Sequence, residues 1–186
     1  MNFYITGYPR SRTSWLANLF THADSFCFHE LSGYGKNYIQ LRDILNRRIE
    51  TYVGTADSAL PHYFEQITQG KNQFRLAIIE RELSDIRKSF QNTYEENFHE
   101  GEFLALMAGL KDKIDYMKIK YNPMVVQYDD LDNEKAIELL WNHLIPGRRF
   151  DLDRYRMLKE LKIEPIKKAF HDSEKRKNMK SIIGGL

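Results

Sequence analysis

The sequence has little cysteine, no long apolar run and little net charge, and each shortage excludes a class of protein. Cys27 is the single cysteine in 186 residues, which excludes an internal disulfide framework and a cysteine zinc site. No stretch approaches the roughly 18 apolar residues of a membrane span, and no basic segment followed by an apolar one indicates a secretory signal. We therefore expect a cytoplasmic protein with no membrane span. Cys27, inside the apolar run Phe26–Phe28, is expected to be buried.

The formal net charge is only +2. Nucleic-acid-binding domains usually carry a pronounced basic excess, so we expect no nucleic-acid partner, and a few placed residues must recognise any anion. No cluster of metal-ligating side chains is visible in the sequence, and no metal is expected. A basic tail over 174–186 is expected to be frayed. The oligomeric state stays open.

Short apolar runs alternate with amphipathic segments along the chain. Strands are predicted over 2–6, 25–28, 51–53, 74–79 and 124–126. The spacing of apolar residues predicts helices over 11–23, 38–48, 61–69, 83–90, 103–117, 137–144 and 155–161. A length of 186 residues suits one domain rather than two. The prediction is an α/β fold, with a single domain over 1–186 and three αβα layers around a central, mostly parallel sheet.

The carboxyl ends of the predicted strands are the expected binding edge, because ligands of parallel α/β sheets bind there. This rule selects the segments Gly7–Ser14, His29–Gly35 and Glu80–Ser89. The first joins a strand to a helix, so its backbone amides would surround an anion at the positive end of the helix dipole. Gly7 permits the sharp turn and Arg10 adds a cation. Hydroxyl groups that can donate to an anion belong to Ser11, Thr13 and Ser14.

The first segment departs from the loop that binds nucleoside triphosphates, which reads G-x-x-x-x-G-K-[ST]. Gly7 and Ser14 fit its ends, but Arg12 stands at the second glycine and Thr13 at the lysine. Without this lysine the contact to the β- and γ-phosphates is lost, so a nucleoside triphosphate is disfavoured. A turn that binds nothing remains an alternative, although Pro9-Arg10-Ser11 before two hydroxyl residues is unusual for a plain turn.

The same segment resembles the phosphosulfate-binding loop of sulfotransferases, [YP]-P-[KR]-S-[GR]-T-[ST]-x-L. The matching run is Pro9-Arg10-Ser11-Arg12-Thr13-Ser14-Trp15-Leu16, in which Arg12 replaces the commoner glycine. The resemblance covers, with gaps, about Asn2 to about Leu144.

A second motif of this family binds a 3′-phosphate with an arginine at a strand end and a serine eight positions later. Here the predicted strand ends in Arg81, and Ser89 follows at that spacing. Asp85 also matches, whereas Glu82-Leu83 replaces the family's Asn-Pro. Taken alone, Arg81 fits a surface ion pair with Glu80, Glu82 or Asp85 equally well. A third, softer match to the family's Tyr-Glu-Asp-Leu is expected to tie a strand end to neighbouring loops: Tyr128-Asp129-Asp130-Leu131.

The resemblance implies a P-loop-type fold and a sulfotransferase that uses 3′-phosphoadenosine 5′-phosphosulfate, without a metal. The acceptor would be a hydroxyl or amine of a small molecule or carbohydrate. Arg10 is implied to neutralise the bridging and sulfuryl oxygens as the adenosine bisphosphate leaves. The residues implied to bind the donor are Gly7, Pro9, Arg10, Ser11, Arg12, Thr13 and Ser14 in the loop, with Arg81 and Ser89 at the 3′-phosphate.

A general base for the acceptor is expected just past the second strand. Glu30 resembles the glutamate that several family members place there, and His29 would point the other way if the strand continued. Asp57 is a further candidate, in the region where cytosolic members carry the catalytic histidine of Thr-His-Leu-Pro, a motif that this sequence lacks.

The acceptor pocket is less defined, and aromatic side chains are its candidates: Tyr34, Tyr38, Tyr52, Tyr63 and Phe64. Two other functions stay open. One is a catalytically inactive nucleotide-binding or interaction module on the same fold, and the other is a different P-loop small-molecule transferase or kinase.

Overall fold

Five parallel strands form one sheet at the centre of the chain. A computed structural model describes residues 1–71, 73–94 and 98–161, and the predicted tail over 174–186 lies outside these residues. The strands are β1 Asn2–Gly7, β2 Ser25–His29, β3 Tyr52–Ala56, β4 Phe74–Glu80 and β5 Met124–Gln127. They pair in the order β2-β3-β1-β4-β5, and every pair is parallel. The predicted parallel sheet is confirmed.

Seven α-helices are found in the described residues: α1 Thr13–Phe20, α2 Tyr38–Asn46, α3 Phe64–Thr68, α4 Leu83–Tyr94, α5 Glu100–Tyr121, α6 Glu134–Leu144 and α7 Leu152–Glu160. Five helix starts differ from prediction: α5, α6 and α7 each begin three residues earlier than predicted, whereas α1 and α3 begin later. The first helix begins later because Arg12 is left-handed, with a φ of 57°. The third begins at Phe64 because Pro61 lies in a separate 3₁₀ turn, Leu60–His62, and the non-helical backbone of Tyr63, with φ −137° and ψ 9°, separates that turn from α3. No described helix is both long enough and apolar enough to cross a membrane.

Helices cover both faces of the sheet, because alternate residues of each strand enter opposite cores. Phe3 and Ile5 of β1 belong to one core, together with residues of α1, α6 and α7: Leu16, Trp141 and Tyr155. Tyr4 belongs to the other, together with residues of α2, α3 and α5: Leu41, Phe64 and Ile114. The three-layer αβα prediction is thereby confirmed. Cys27 lies in the first core and is 4% exposed, as expected.

The topology places a binding crevice at the carboxyl end of β1. The strand β1 is followed by α1, which packs in the core that contains Phe3 and Ile5. The strand next to β1 in the sheet, β3, is followed by α3, which packs in the core on the opposite face. The other neighbour, β4, is followed by α4, which packs against α5. Connections that leave adjacent strands in opposite directions open a crevice above the sheet, where ligands of such folds bind. The loop that follows β1 therefore has the position expected of a binding segment.

Replacing Gly54 by alanine is expected to destabilise the fold. A Cβ at Gly54 in β3 would lie 2.4 Å from the carbonyl oxygen of Phe3 and 2.5 Å from its ring, and such overpacking costs about 1–3 kcal/mol or more. Gly109→Ala is the matched control, because a Cβ there meets nothing within 4 Å. In the exposed middle of α5 it should stabilise by about 0.5–1 kcal/mol. Urea unfolding measures both, and equal shifts would contradict the packing argument.

Candidate functional site

The loop between β1 and α1 has an unusual backbone. A Cβ on Gly7 would lie 2.4 Å from the carbonyl oxygen of Ile79, so glycine is what allows β1 and β4 to approach here. Arg10 and Arg12 have φ values of 70° and 57°, and Ser11 between them has no positive φ. A backbone that alternates in this way turns successive amides toward one side, which forms a concavity for an anion.

Backbone strain is concentrated at this edge of the sheet. Of the five described non-glycine residues with positive φ, three follow the carboxyl ends of β1 and β2: Arg10, Arg12 and Glu30. The left-handed conformation costs about 1–2 kcal/mol for such residues, and it persists where surrounding contacts hold it, commonly at functional sites. The strained residues therefore lie at the carboxyl ends of the strands, where the sheet topology also predicts ligand binding.

The N-terminus of α1 is left open for an anion. Among the described α-helices, α1 alone has neither a capping side chain nor an acidic residue in its first turn. Its first amides therefore have no side-chain partner, and its dipole is not compensated by the protein. The Ser11 hydroxyl beside it is fully buried and has no hydrogen-bond partner. An unpaired buried hydroxyl is costly, and a bound oxyanion would satisfy it.

The two motifs matched in sequence meet in space. The Arg10 Nε donates to the Ser89 Oγ at 3.0 Å, and the Arg81 Nη1 donates to the carbonyl oxygen of Arg10. The Arg81 Nε is buried and has no hydrogen-bond partner. The sequence assigned Arg10 and Ser89 to opposite ends of the donor, but their side chains are in contact. Arg81 and Ser89 thus belong to one group with the loop.

No described carboxylate forms an ion pair with Arg10 or Arg81. The surface ion pair considered for Arg81 is therefore not formed: Glu80 pairs with Lys118, and Asp85 with Lys88. The hydrogen bonds from Lys118 and Gln127 also lower the pKa of Glu80. The two guanidinium groups are available to an anion.

Arg12, which stands in the position of the commoner glycine, contacts the 3₁₀ turn Tyr128–Asp132 that follows β5. Its Nη1 and Nη2 donate to the two carboxylate oxygens of Asp132 at 2.8 and 3.3 Å. Its guanidinium carbon lies 5.1 Å from the centre of the Tyr128 ring, and that of Arg81 lies 4.0 Å from it. Sequence reasoning missed Asp132 because no local signal links residues 120 positions apart.

The two candidate bases lie together beside the loop. The His29 Nε2 is 3.5 Å from the Thr13 Oγ1 and 3.6 Å from the Glu30 Oε1. The opposite directions expected for a continuing strand do not arise, because β2 ends at His29 and Glu30 is left-handed. Both side chains are partly exposed, so both are accessible at the crevice. The structure brings Glu30, His29 and Thr13 into one cluster.

Asp57, the third candidate base, is a structural residue. Its carboxylate is fully buried and accepts hydrogen bonds from the Ala59 amide at 2.7 Å, the Ser32 amide at 2.9 Å and the Tyr63 hydroxyl at 2.6 Å. Burial, followed by the Asp57 charge, raises the pKa of Tyr63 well above its usual value. A buried carboxylate that accepts three hydrogen bonds has little access to an acceptor, so the structure favours a structural role for Asp57 over that of a base.

Only part of the aromatic set expected at an acceptor pocket lies near the crevice surface. Tyr63 and Phe64 are 1% exposed and belong to the core. Tyr52 is the first residue of β3, so it lies at the amino-terminal ends of the parallel strands, away from the candidate site. Its hydroxyl donates to the carbonyl oxygen of Pro146. Tyr34 and Tyr38 are exposed and follow the carboxyl end of β2. An acceptor surface built from this set is therefore limited to Tyr34 and Tyr38.

Within the described ranges, no group of three or more side chains could hold a metal ion. Comparisons of the chain with family models, curated proteins and solved structures gave no significant match. What the chain does must therefore be inferred from the arrangement of its own residues.

Proposed function

We propose that the chain is a sulfotransferase that moves a sulfuryl group from 3′-phosphoadenosine 5′-phosphosulfate to a hydroxyl or amine of an acceptor. The meeting of Arg10, Arg81 and Ser89 beyond β1 and β4 carries the proposal. Two like charges gathered in one group of residues repel each other, and no described carboxylate pairs with either. A dianionic phosphate accepts bidentate hydrogen bonds from such groups. The arrangement supports a donor that carries two phosphate positions, one at the loop and one at α4.

The residues divide into two binding groups. The loop Gly7–Ser14 would hold the 5′-phosphosulfate at the N-terminus of α1 through its backbone N–H groups, which Pro9 lacks, and through the hydroxyls of Ser11, Thr13 and Ser14. Arg81 and Ser89 would hold the 3′-phosphate. Arg10 belongs to the loop and contacts Ser89, so it lies where the two groups join. A donor without a 3′-phosphate would leave the second group unpaired.

The chemistry of transfer needs charge stabilisation and a proton acceptor. The bound donor supplies a sulfuryl group whose bond to the phosphate breaks as the acceptor oxygen or nitrogen bonds to sulfur. Arg10 and the loop amides would stabilise the negative charge that develops on the leaving phosphate. Glu30 and His29 lie beside Thr13, and one of them would accept the acceptor's proton. The exposed Tyr34 and Tyr38 would contact a small-molecule or carbohydrate acceptor.

Calorimetric titration with adenosine 3′,5′-bisphosphate tests the donor site. We expect the bisphosphate to bind at least about 10-fold more tightly than adenosine 5′-monophosphate, since a charge-assisted hydrogen bond contributes about 1.5–3 kcal/mol. Adenosine triphosphate is the control for a kinase, and it should bind more weakly because Thr13 occupies the lysine position. Absence of bisphosphate binding would contradict the proposal.

A transfer assay with labelled phosphosulfate donor separates an enzyme from an inactive module. Sulfation of at least one hydroxyl or amine acceptor in a broad panel is the expected result. Bisphosphate binding without transfer to any acceptor would indicate a nucleotide-binding module instead. Tighter binding of adenosine triphosphate than of the bisphosphate would favour a kinase.

A further inference from the structure

The 3₁₀ turn Tyr128–Asp132, which follows β5, contacts two arginines of the candidate site. The Asp132 carboxylate accepts hydrogen bonds from both terminal nitrogens of Arg12. The Tyr128 ring lies beneath the guanidinium groups of Arg12 and Arg81, within the distance of a cation–π contact. Tyr128 belongs to the third, softer match in the sequence, whereas Asp132 belongs to none of the matched motifs.

Arg12 is in a conformation that its own chemistry does not favour. It precedes α1 with φ 57° and ψ 29° and provides no side-chain cap. Glycine adopts this region freely, whereas a residue with a Cβ does so only when other contacts hold it. The bidentate pair with Asp132 is the strongest such contact among the described residues, because bidentate arginine–carboxylate bonds fix orientation as well as distance.

The turn that carries Asp132 is itself anchored. The Lys159 Nζ of α7 donates to the carbonyl oxygen of Asp132 at 2.8 Å. Asn133 donates its amide to the carbonyl oxygen of Asp130 at 2.9 Å, and its side chain caps α6. The Asp132 carboxylate therefore extends from a rigid junction between β5, α6 and α7.

We propose that Asp132 is a positioning residue that, through Arg12, holds the loop before α1 in the left-handed conformation that forms its anion-binding concavity. Arg12 acts as a tether rather than as a ligand, since its guanidinium is occupied by Asp132. That the anion is the phosphosulfate donor rests on the function proposed above, whereas the tether itself does not. Because Arg12 and Asp132 are partly exposed, their pair adds little to global stability, and its effect is confined to the loop.

Amide hydrogen exchange in the ligand-free protein tests the tether directly. Asp132→Asn should raise the exchange rates of the amides over 11–14 by about 5-fold, a change typical of the loss of one coupled contact, without a shift in the urea midpoint. In an Arg12→Gly background the same substitution should change nothing, because glycine needs no tether. Asp132→Glu, which keeps the charge, should restore slow exchange.

Glu134→Gln is the matched control. It removes a partly exposed bidentate pair, between Glu134 and Arg156, two positions along the chain from Asp132, and it should leave loop exchange unchanged. Equal exchange in wild-type protein and Asp132→Asn would overturn the proposal. An unchanged effect of Asp132→Asn in the Arg12→Gly background would overturn the route through Arg12.

Ligand affinity separates this inference from the proposed function. If the wild-type protein binds adenosine 3′,5′-bisphosphate, Asp132→Asn should weaken binding by about 5-fold, and Arg12→Gly should suppress that loss. Equal affinities would count against the positioning role while the donor site stands. A wild-type protein that does not bind the bisphosphate would contradict the proposed function, and the exchange experiment would still decide the tether.

Discussion

Replacing Arg10 by alanine is expected to lower the rate of sulfuryl transfer by about 10²–10³-fold, the usual loss when a donor to the developing charge is removed. Arg10 carries the guanidinium that joins the loop to Ser89, and no described carboxylate neutralises it. The loss should appear in kcat more than in bisphosphate affinity, because the loop amides and Arg81 remain. Single-turnover assays with labelled donor and calorimetry measure the two quantities separately.

Arg81→Ala should lower bisphosphate affinity more than kcat. The affinity should fall by about 10- to 100-fold, because charge-assisted hydrogen bonds to the phosphate are lost. Arg47→Ala, at an exposed arginine that directly follows α2, is the matched control and should alter neither quantity. Unchanged affinity in Arg81→Ala would show that the match of Arg81 and Ser89 to a 3′-phosphate motif is a coincidence.

The structure predicts that the effects of Arg10→Ala and Arg81→Ala on the free energy of binding and transfer depend on each other. Because the Arg81 Nη1 donates to the carbonyl oxygen of Arg10, Arg81→Ala also removes a contact that holds the loop. Residues in direct contact lose free energy non-additively, so the fall in kcat/KM of the double variant should be smaller than the product of the two single falls. Additive losses would mean that the two arginines act independently.

The sheet could be predicted from sequence because each strand is short, apolar and bounded by turn residues. Phe74–Glu80 is the clearest case: four of its residues are buried, so the apolar run itself reports a strand covered on both faces. Helix starts were less predictable where a residue with a Cβ adopts a left-handed φ, as Arg12 does. Such a conformation is held by distant contacts, and local propensity does not reveal it.

The candidate site could be predicted only in its parts. The loop and Arg81 were recognisable because each follows a predicted strand at the expected edge. Their contact, and the Arg12–Asp132 pair, depend on packing between segments far apart in the chain. The donor, the catalytic activity and the cytoplasmic location stay predictions. Asp57 shows the limit most clearly, because a carboxylate after a strand has the same sequence pattern whether it faces a ligand or the protein interior.

Asp57→Ala is expected to destabilise the protein by about 4 kcal/mol or more, since buried unpaired donors cost about 1–3 kcal/mol each. The substitution would leave three donors without their acceptor: the Ser32 amide, the Ala59 amide and the Tyr63 hydroxyl. That loss is a large share of the 5–15 kcal/mol typical of a domain. Because Asp57→Ala risks leaving no folded protein, milder variants are needed beside it.

Tyr63→Phe removes one of the three hydrogen bonds and should lower the free energy of unfolding by about 1–2 kcal/mol. Asp57→Asn keeps the size of the side chain, but its NH₂ group would face a buried hydrogen-bond donor, so the loss of stability should be larger. Urea unfolding should therefore rank them Tyr63→Phe, Asp57→Asn, Asp57→Ala in increasing destabilisation. If Asp57 were the general base, Asp57→Asn would abolish transfer without destabilising the fold. A structural Asp57 predicts the reverse, with stability lost and transfer retained in whatever fraction stays folded, since Glu30 and His29 lie beside the loop and their side chains are untouched.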